Sequence, residues 1–374
     1  MRIVHVVGAR PQFVKLAVLV RAVDADAGLD WQQVVVHTGQ HYDESMSARF
    51  FEEFGLAPPA RNLAVGSGPH GAQTGQMLAG LETAFAELAP DLVIVYGDTN
   101  STLAGALAAV KMGIPVAHVE AGLRSFNRAM PEEINRVATD HVADLLLAPT
   151  REALAHLERE GLAARSHWVG DVMADAVLRA SDRARRDSEA RVRLGLAGRR
   201  FALATVHRAQ ATAPAVLAGL LQALDECARD FDALVLPLHP RTRAAIQALD
   251  PDWQAPPGWI VCEPLGHADM LALVQDAAVV LTDSGGLQKE AFLLGTPCVT
   301  LREETEWTES VLAGGNVVAG LAPGSVVNAL HRLLACAPSR SALAALAADC
   351  YGQGQAGARI VAALIAFREG RDDD

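Results

Sequence analysis

Residues 1–15, MRIVHVVGARPQFVK, join a short apolar run to a helical pattern through a glycine. The run at residues 3–7 is apolar almost throughout rather than alternating, which is typical of a strand covered on both faces of a parallel sheet. Gly8 ends the run and a helical pattern follows directly. The stretch therefore predicts one βα unit.

The same unit recurs along the chain. Comparable runs stand at residues 34–37, 92–96, 115–119 and 145–148, and, beyond a charged helical stretch, at residues 201–206, 233–238, 259–262, 279–282 and 298–301. We therefore predict an α/β fold of two doubly wound, Rossmann-like domains that face each other across a cleft. The predicted domains are residues 1–170 and 171–355, with a helix at 356–374 packing back on the first.

Composition narrows the class of protein. The 374 residues are 51% hydrophobic and carry a formal net charge of −12, which disfavours nucleic acid or an anionic membrane as partner. The five cysteines are scattered without metal-ligand spacing, which indicates reduced thiols and no metal site. No apolar run reaches the roughly 18 residues of a membrane span, so we expect a cytoplasmic protein that is neither exported nor membrane-bound.

Acidic residues follow two successive strands of the first predicted domain. Asp98 stands in YGDTNST, Glu120 opens the loop of HVEAGLRSFNRAMPEEINR (residues 118–136), and Glu132 lies in the first turn of a helix begun by Pro131. Ligands of doubly wound sheets bind at the carboxyl ends of the strands. The carboxylates therefore predict acid–base chemistry that moves a proton on carbon. A helix cap at Asp98 and dipole stabilisation at Glu132 are the alternatives.

Basic and small residues predict an anion site. Arg10 and Lys15 follow the first strand and could hold phosphate oxygens, or could be solvated cations of an ordinary helix. No GxGxxG surrounds Gly8, so a dinucleotide fingerprint is absent. In the second domain His207 and His239 follow strands, and either could act as an acid, a base or a phosphate donor.

The segment LTDSGGLQKEAF, residues 281–292, is the clearest anion motif. Ser284, Gly285 and Gly286 lie between a predicted strand and a helix, where exposed N–H groups suit a diphosphate. Glu290, about one and a half turns into that helix, could accept hydrogen bonds from ribose hydroxyls. A tight βα turn without a ligand is the alternative.

Taken together, the motifs resemble those of the non-hydrolysing UDP-N-acetylglucosamine 2-epimerases over essentially the whole length. They are GARPQF, TGQH, YGDTNST, HVEAGLRS, MPEEINR, VGDVM, HRA, PLHPRTR, TDSGG and YGQGQA. The resemblance implies the GT-B fold and interconversion of UDP-GlcNAc and UDP-ManNAc without NAD or a metal. UDP would leave to give a 2-acetamidoglucal intermediate and then add back. It also implies UDP and a UDP-sugar as ligands, and a homodimer.

The resemblance also assigns residues to roles by their positions in these motifs. The catalytic positions are Asp98, Glu120, Glu132, His207 and Lys15. The substrate and UDP contacts are Arg10, His239, Met270, Ser284, Gly285, Gly286 and Glu290, and a second, allosteric site would use Gln40 and His41.

Several motifs depart from the common family pattern. The HYD, SFNR, QKEAF and TEW variants look more like the branch that epimerises UDP-2,3-diacetamido-2,3-dideoxyglucuronic acid, and Trp307 stands where many members carry arginine. That acidic sugar is an alternative substrate. A GT-B glycosyltransferase, a non-catalytic UDP-sugar binder and a hydrolysing epimerase are the alternative activities.

Overall fold

The computed structural model describes residues 1–40, 51 and 55–372, which divide into two compact units. The first unit comprises Met1–Ala176 and Tyr351–Asp374, and the second comprises Val177–Cys350. The sequence placed these boundaries after residues 170 and 355. The predicted fold class, two doubly wound α/β domains, is confirmed.

The described strands of the first unit form one parallel sheet in the order β3-β2-β1-β4-β5-β6-β7. The strands are β1 (Arg2–Val7), β2 (Gln32–His37), β3 (Arg61–Asn62), β4 (Leu92–Tyr96), β5 (Val116–Val119), β6 (Leu145–Ala148) and β7 (Ser166–Trp168). The helices are α1 (Arg10–Asp24), α2 (His70–Leu88), α3 (Asn100–Lys111), α4 (Pro131–Val142), α5 (Arg151–Arg159), a short 3₁₀ turn (Ala163–Arg165), and α6 (Val172–Asp187), which continues into the second unit.

The second unit repeats this topology, with a parallel sheet in the order β10-β9-β8-β11-β12-β13 over its described strands. Its strands are β8 (Phe201–Thr205), β9 (Ala233–Pro237), β10 (Trp259–Cys262), β11 (Val279–Thr282), β12 (Cys298–Thr300) and β13 (Asn316–Val318). Its helices are α7 (Ala190–Arg193), α8 (Pro214–Ala228), α9 (Pro240–Leu249), α10 (His267–Asp276), α11 (Gly285–Leu293), α12 (Thr308–Leu312), α13 (Pro323–Cys336) and α14 (Arg340–Tyr351). The last helix, α15 (Ala356–Asp372), returns to the first unit.

Both faces of each sheet are covered by helices, which explains the continuously apolar strands. In β1, Ile3 and Val7 belong to the core on one side, while Val4 and Val6 belong to the core on the other. Burying each such side chain contributes roughly 1.5–3 kcal/mol. Within the described residues, no single helix is long and apolar enough to cross a bilayer, and α13 followed by the helical stretch 340–371 meets that test only as a pair bent by 97°.

Two positions in the fold matter for ligands. The strand order reverses between β1 and β4 in the first unit and between β8 and β11 in the second. Ligands of doubly wound sheets bind at such switch points, just beyond the carboxyl ends of the strands. The two loops at the first switch point are residues 8–9 and 97–99, and those at the second are residues 206–213 and 283–284.

Candidate active site

The acidic residues of the first unit gather at neighbouring strand ends. Gly97 and Asp98 follow β4, and Glu120 follows β5, which pairs with β4 in parallel. The Gly97 N–H donates to the carbonyl oxygen of Val119 at 3.0 Å, so the two strand ends stay in register up to the acidic residues. The predicted convergence of Asp98 and Glu120 on one sheet edge therefore follows from the pairing of two strands.

Lys15 and Glu120 form a nearly buried ion pair at this edge. A Cβ atom built at Gly97 would lie 3.2 Å from Lys15 Nζ and 3.3 Å from Glu120 Oε2, so the glycine leaves the pair its space. Burial alone would lower the pKa of Lys15, but the carboxylate of Glu120, with further contributions from Asp171 and Asp98, raises it instead. A positively charged lysine thus stands beside the Glu120 carboxylate.

The backbone at Glu120 is strained. Its φ is +76°, in the left-handed region that residues other than glycine rarely adopt. Its N–H donates to the carbonyl oxygen of Leu147 at 3.1 Å, which anchors the turn to β6. Strain of this kind persists only where the surroundings enforce it and is common at functional sites.

Asp98 is not a helix cap. The N-cap of α3 is Thr99, whose side chain accepts from the Thr102 N–H. The Asp98 carboxylate instead pairs with the Arg136 guanidinium, with Oδ2 at 2.6 Å from Nη2, and its main-chain carbonyl accepts from Asn135 at 2.9 Å. Helix α4 therefore fixes Asp98 from the opposite side of the loop.

Two adjacent glutamates at the start of α4 have different environments. Glu132 is exposed. Glu133 is buried, and its carboxylate accepts from the N–H groups of Ser125 and Phe126 at 2.9 Å and from Arg136 at 3.1 Å. Burial would raise the pKa of Glu133, but these hydrogen bonds lower it. Glu133 therefore fixes the preceding loop.

A buried polar cluster that the sequence analysis missed supports the same loop. His118 donates through Nδ1 to Asp140 Oδ1 at 2.7 Å, and its Nε2 lies 2.7 Å from the carbonyl oxygen of Gly97. The other Asp140 oxygen contacts Arg124 at 2.7 Å and the Gly122 N–H at 3.0 Å. A histidine inside an apolar strand, with an aspartate 22 residues later, gives only a weak sequence signal.

A cavity of about 290 Å³ occupies the carboxyl ends of the central strands in the second unit. It brings together six residues that the sequence assigned to the nucleotide site or to catalysis: His207, His239, Met270, Ser284, Gly286 and Glu290. Its remaining lining residues are Thr205, Val206, Pro237, Pro264, Leu265, His267 and Leu287. The mixture of apolar walls and few polar groups is typical of a small-molecule site.

The glycine-rich turn begins α11 beside this cavity. Ser284 is the N-cap, and its hydroxyl oxygen accepts from the Leu287 N–H at 3.4 Å. A Cβ at Gly286 would meet nothing within 4 Å, so the main chain there is open to an approaching group. On the next turn Glu290 Oε1 lies 3.0 Å from His267 Nε2, a partner that the sequence did not indicate.

The TEW segment packs against the same turn. Trp307 donates its indole N–H to the carbonyl oxygen of Gly285 at 2.7 Å, and the Lys289 ammonium lies 4.3 Å from the centre of the indole ring. The variant tryptophan therefore contacts the first two turns of α11, which carry the anion motif.

His207 follows β8 and faces the end of β11. Its Nδ1 lies 3.0 Å from Oδ1 of the buried Asp283, while its ring centre is 5.6 Å from that of His239. Asp283 was not among the predicted residues, although it stands directly before the SGG motif.

Of the two residues predicted for a second, allosteric site, the structure describes Gln40. Gln40 accepts from the Ser101 N–H at 3.1 Å and from the Ser101 hydroxyl at 2.7 Å, which ties it to the start of α3. His41 and the side chain of Arg10 lie outside the described residues.

The similarity to known proteins covers most of the chain. The family model for UDP-N-acetylglucosamine 2-epimerase matches residues 21–365. The chain is 45% identical to the UDP-2,3-diacetamido-2,3-dideoxy-D-glucuronate 2-epimerase of Pseudomonas aeruginosa, over 96% of this chain and 98% of that protein.

Solved structures give the same result. The UDP-GlcNAc 2-epimerase from Methanocaldococcus jannaschii is 36% identical with a TM-score of 0.83, over 98% of this chain and 100% of that one. A structure of that epimerase in complex with UDP-GlcNAc and UDP has a TM-score of 0.75 at 38% identity, with the same coverage. These similarities confirm the predicted GT-B fold.

Proposed function

The chain belongs to the UDP-N-acetylglucosamine 2-epimerase family, as its motifs predicted, and on that premise we propose that it inverts carbon 2 of a UDP-linked 2-acetamido sugar. The observation that carries the proposal is the Lys15–Glu120 pair beside Gly97 and Asp98 at the first switch point. A carboxylate fixed at the carboxyl end of a strand, where ligands of such sheets bind, is placed to take a proton from carbon.

The proposed reaction is an elimination followed by an addition. A carboxylate removes the carbon 2 proton, the C–H electron pair forms the carbon 1–carbon 2 double bond, and the bond from carbon 1 to the diphosphate oxygen breaks with its electrons on UDP. Re-addition of UDP with protonation from the other face gives the epimer. We assign the two proton transfers to Glu120 and Glu132, and assign Asp98 and His207 to positioning and charge balance of the departing diphosphate.

The second unit supplies the nucleotide site in this proposal. Ser284, Gly285 and Gly286 would present N–H groups to the diphosphate, since a helix N-terminus favours negative charge. Glu290 would accept from the ribose hydroxyls, while His239 and Met270 would contact the nucleotide. The six predicted residues that line the 290 Å³ cavity support this assignment.

The neutral sugar UDP-GlcNAc is the first candidate substrate. The second is UDP-2,3-diacetamido-2,3-dideoxyglucuronic acid. It is favoured by 45% identity to an epimerase named for that sugar, and by the TEW variant typical of that branch, whose Trp307 packs against the anion motif. We further propose that the reaction uses no nicotinamide and no metal, because an elimination requires only an acid, a base and a leaving group. A homodimer and a cytoplasmic location, consistent with five free cysteines, complete the proposal.

Proton NMR in deuterated water tests the reaction and the substrate together. We would incubate the protein with each UDP-sugar in parallel and expect one of them to epimerise with deuterium at carbon 2. Glu120→Gln should reduce label incorporation by roughly 10²–10⁴-fold. Glu82→Gln, which changes an exposed glutamate of α2, should leave it unchanged.

Each other outcome contradicts a stated part of the proposal. Turnover without deuterium at carbon 2 would indicate glycosyl transfer, and free sugar at equilibrium would indicate a hydrolysing epimerase. Absence of turnover with both sugars would reject the proposed function. Normal incorporation in Glu120→Gln would reject the role of Glu120.

A further inference from the structure

Asp283 is the buried residue that holds the end of β11 against the loop after β8. Its side chain is fully buried, and Oδ2 accepts from the main-chain N–H groups of His207 and Arg208, both at 2.7 Å. These two bonds fix the carboxylate across the second switch point. The aspartate therefore determines where the His207 backbone lies.

The second oxygen of Asp283 faces the His207 ring. Oδ1 is buried, and no group among the described residues makes a well-aligned hydrogen bond to it. Nδ1 of His207 lies 3.0 Å away, within reach after a small rotation of the ring. Because an ionised oxygen that is buried without a donor is strongly unfavourable, we infer that Nδ1 of His207 carries a proton.

We propose that Asp283 is a positioning residue that keeps the proton of His207 on Nδ1, so that Nε2 is the nitrogen that exchanges a proton with the ligand. This inference rests on the proposed function. Burial would raise the pKa of Asp283, but the hydrogen bonds from His207 and Arg208 lower it, so the carboxylate stays ionised beside the imidazole. The side chain of His207 is 36% exposed and lines the 290 Å³ cavity.

His239 has the opposite arrangement in the same cavity. Its Nδ1 accepts from the Arg241 N–H at 3.2 Å, so a neutral His239 carries its proton on Nε2. The Arg241 guanidinium also donates to the His207 carbonyl oxygen at 3.0 Å, and Arg208 follows His207 in the chain. The two rings lie 5.6 Å apart, and Nδ1 of His207 faces the Asp283 carboxylate, while Glu290 lines the same cavity.

The two tautomers give the histidines different roles. His239 is a fixed donor to an anionic oxygen. His207 can release the Nε2 proton to the diphosphate oxygen as the bond to carbon 1 breaks, and can recover the same proton when UDP adds back. The imidazolium that precedes this release is stabilised by the Asp283 carboxylate.

Nitrogen-15 NMR of histidine-labelled protein tests the tautomers directly and does not depend on activity. We expect long-range proton–nitrogen spectra, assigned with His207→Asn and His239→Asn, to place the neutral proton on Nδ1 of His207 and on Nε2 of His239. A neutral His207 protonated on Nε2 in the unaltered protein would overturn the proposal. This measurement stands even if an Asp283 variant fails to fold.

The variant Asp283→Asn should reverse the tautomer of His207. The asparagine oxygen can keep both main-chain N–H bonds, while its NH₂ group faces Nδ1 and requires it to accept. We expect kcat to fall by roughly 10²–10⁴-fold and the pH dependence attributed to His207 to disappear. Asp252→Asn, at an exposed turn of the same unit, is the control and should leave both unchanged.

A double-mutant cycle separates positioning from a merely structural role. If Asp283 acts through His207, adding Asp283→Asn to His207→Asn should reduce kcat by less than about threefold further. Multiplicative losses in the folded double variant, or an unchanged pH profile in Asp283→Asn, would overturn the proposal. Inactivity of the unaltered protein with both UDP-sugars would reject the proposed function, while the NMR result would still decide the tautomers.

Discussion

The His118–Asp140 pair of the first unit and the His207–Asp283 pair of the second join the same two side-chain types over similar distances, 2.7 and 3.0 Å. Their surroundings differ. His118 is fully buried with both ring nitrogens at acceptor oxygens, whereas His207 is partly exposed and presents Nδ1 to Asp283. Moreover, His207 and Asp283 follow β8 and β11, the two strands of the second switch point. His118 lies in β5, one strand away from the first switch point.

The difference teaches how one pair of residue types serves two purposes. Both nitrogens of His118 lie at acceptor oxygens, so the ring is fully engaged by its neighbours and holds the Gly97 loop in place. His207 faces Asp283 through Nδ1, and in the proposed mechanism its second nitrogen exchanges a proton with the ligand. By this proposal, the number of occupied ring nitrogens, rather than the pairing itself, separates a structural pair from a functional one.

The largest effect is expected from breaking the buried pair. Asp140→Asn removes the charge that faces both His118 and Arg124, and removal of one partner of a buried pair costs about 3–5 kcal/mol. We expect the free energy of unfolding in urea to fall by that amount, and by well under half of it in Asp283→Asn. Asp144→Asn, which keeps an oxygen for the Val116 N–H, is the control. Equal losses of unfolding free energy in Asp140→Asn and Asp283→Asn would contradict the distinction between the two pairs.

The adjacent glutamates of α4 extend the comparison, because we assign Glu132 to catalysis and Glu133 to stability. Glu132→Gln should lower the rate of epimerisation by roughly 10²–10⁴-fold with little change in stability. Glu133→Gln should cost about 1–3 kcal/mol of unfolding free energy, because its buried oxygens accept from Ser125, Phe126 and Arg136. Measurement of both quantities on both variants checks the assignment, and a larger rate loss in a folded Glu133→Gln would reverse it.

Acid should weaken both Asp–His pairs. Burial would raise the pKa of each aspartate, but His118 and Arg124 lower that of Asp140, and His207 with two main-chain N–H groups lowers that of Asp283. The unfolded chain, with aspartate pKa values near about 3.9, therefore binds more protons, so stability falls with pH below about 4. We would measure the free energy of unfolding between pH 3 and 6. Its decrease with falling pH should be smaller in Asp140→Asn than in the unaltered protein, and slightly smaller in Asp283→Asn. The same pH dependence in all three proteins would contradict this prediction.

The smallest effect concerns the segment beside the anion motif. Trp307→Phe removes the N–H bond to Gly285 but keeps an aromatic ring for Lys289, which should cost about 0.5–1.5 kcal/mol. We expect UDP, measured by calorimetry, to bind roughly 2- to 10-fold more weakly, with kcat unchanged. Trp253→Phe, which alters an indole packed on Trp259, is the control. If Trp307→Phe binds UDP with unaltered affinity, Trp307 does not contribute to the nucleotide site.

The apolar runs, the breaks after them and the SGG motif were enough to predict two doubly wound domains and a phosphate-binding turn. These features depend on short stretches of chain, because strand and helix periodicity and the N–H groups of a helix start are local properties. The strand-end rule also identified Asp98, Glu120 and His207 as candidates, since each stands within two residues of the end of its strand.

The tertiary structure decided the partners. Asp283 stands 76 residues after His207, and Asp140 stands 22 residues after His118, so neither pair has a local pattern. The opposite burial of Glu132 and Glu133 depends on a loop that folds back onto α4, and both residues suit the first turn of a helix equally well. The sequence thus determined which residue types reach the strand ends. Packing determined which of them are held by buried partners and which keep an atom for the ligand, because burial and hydrogen-bond geometry depend on segments far apart in the chain.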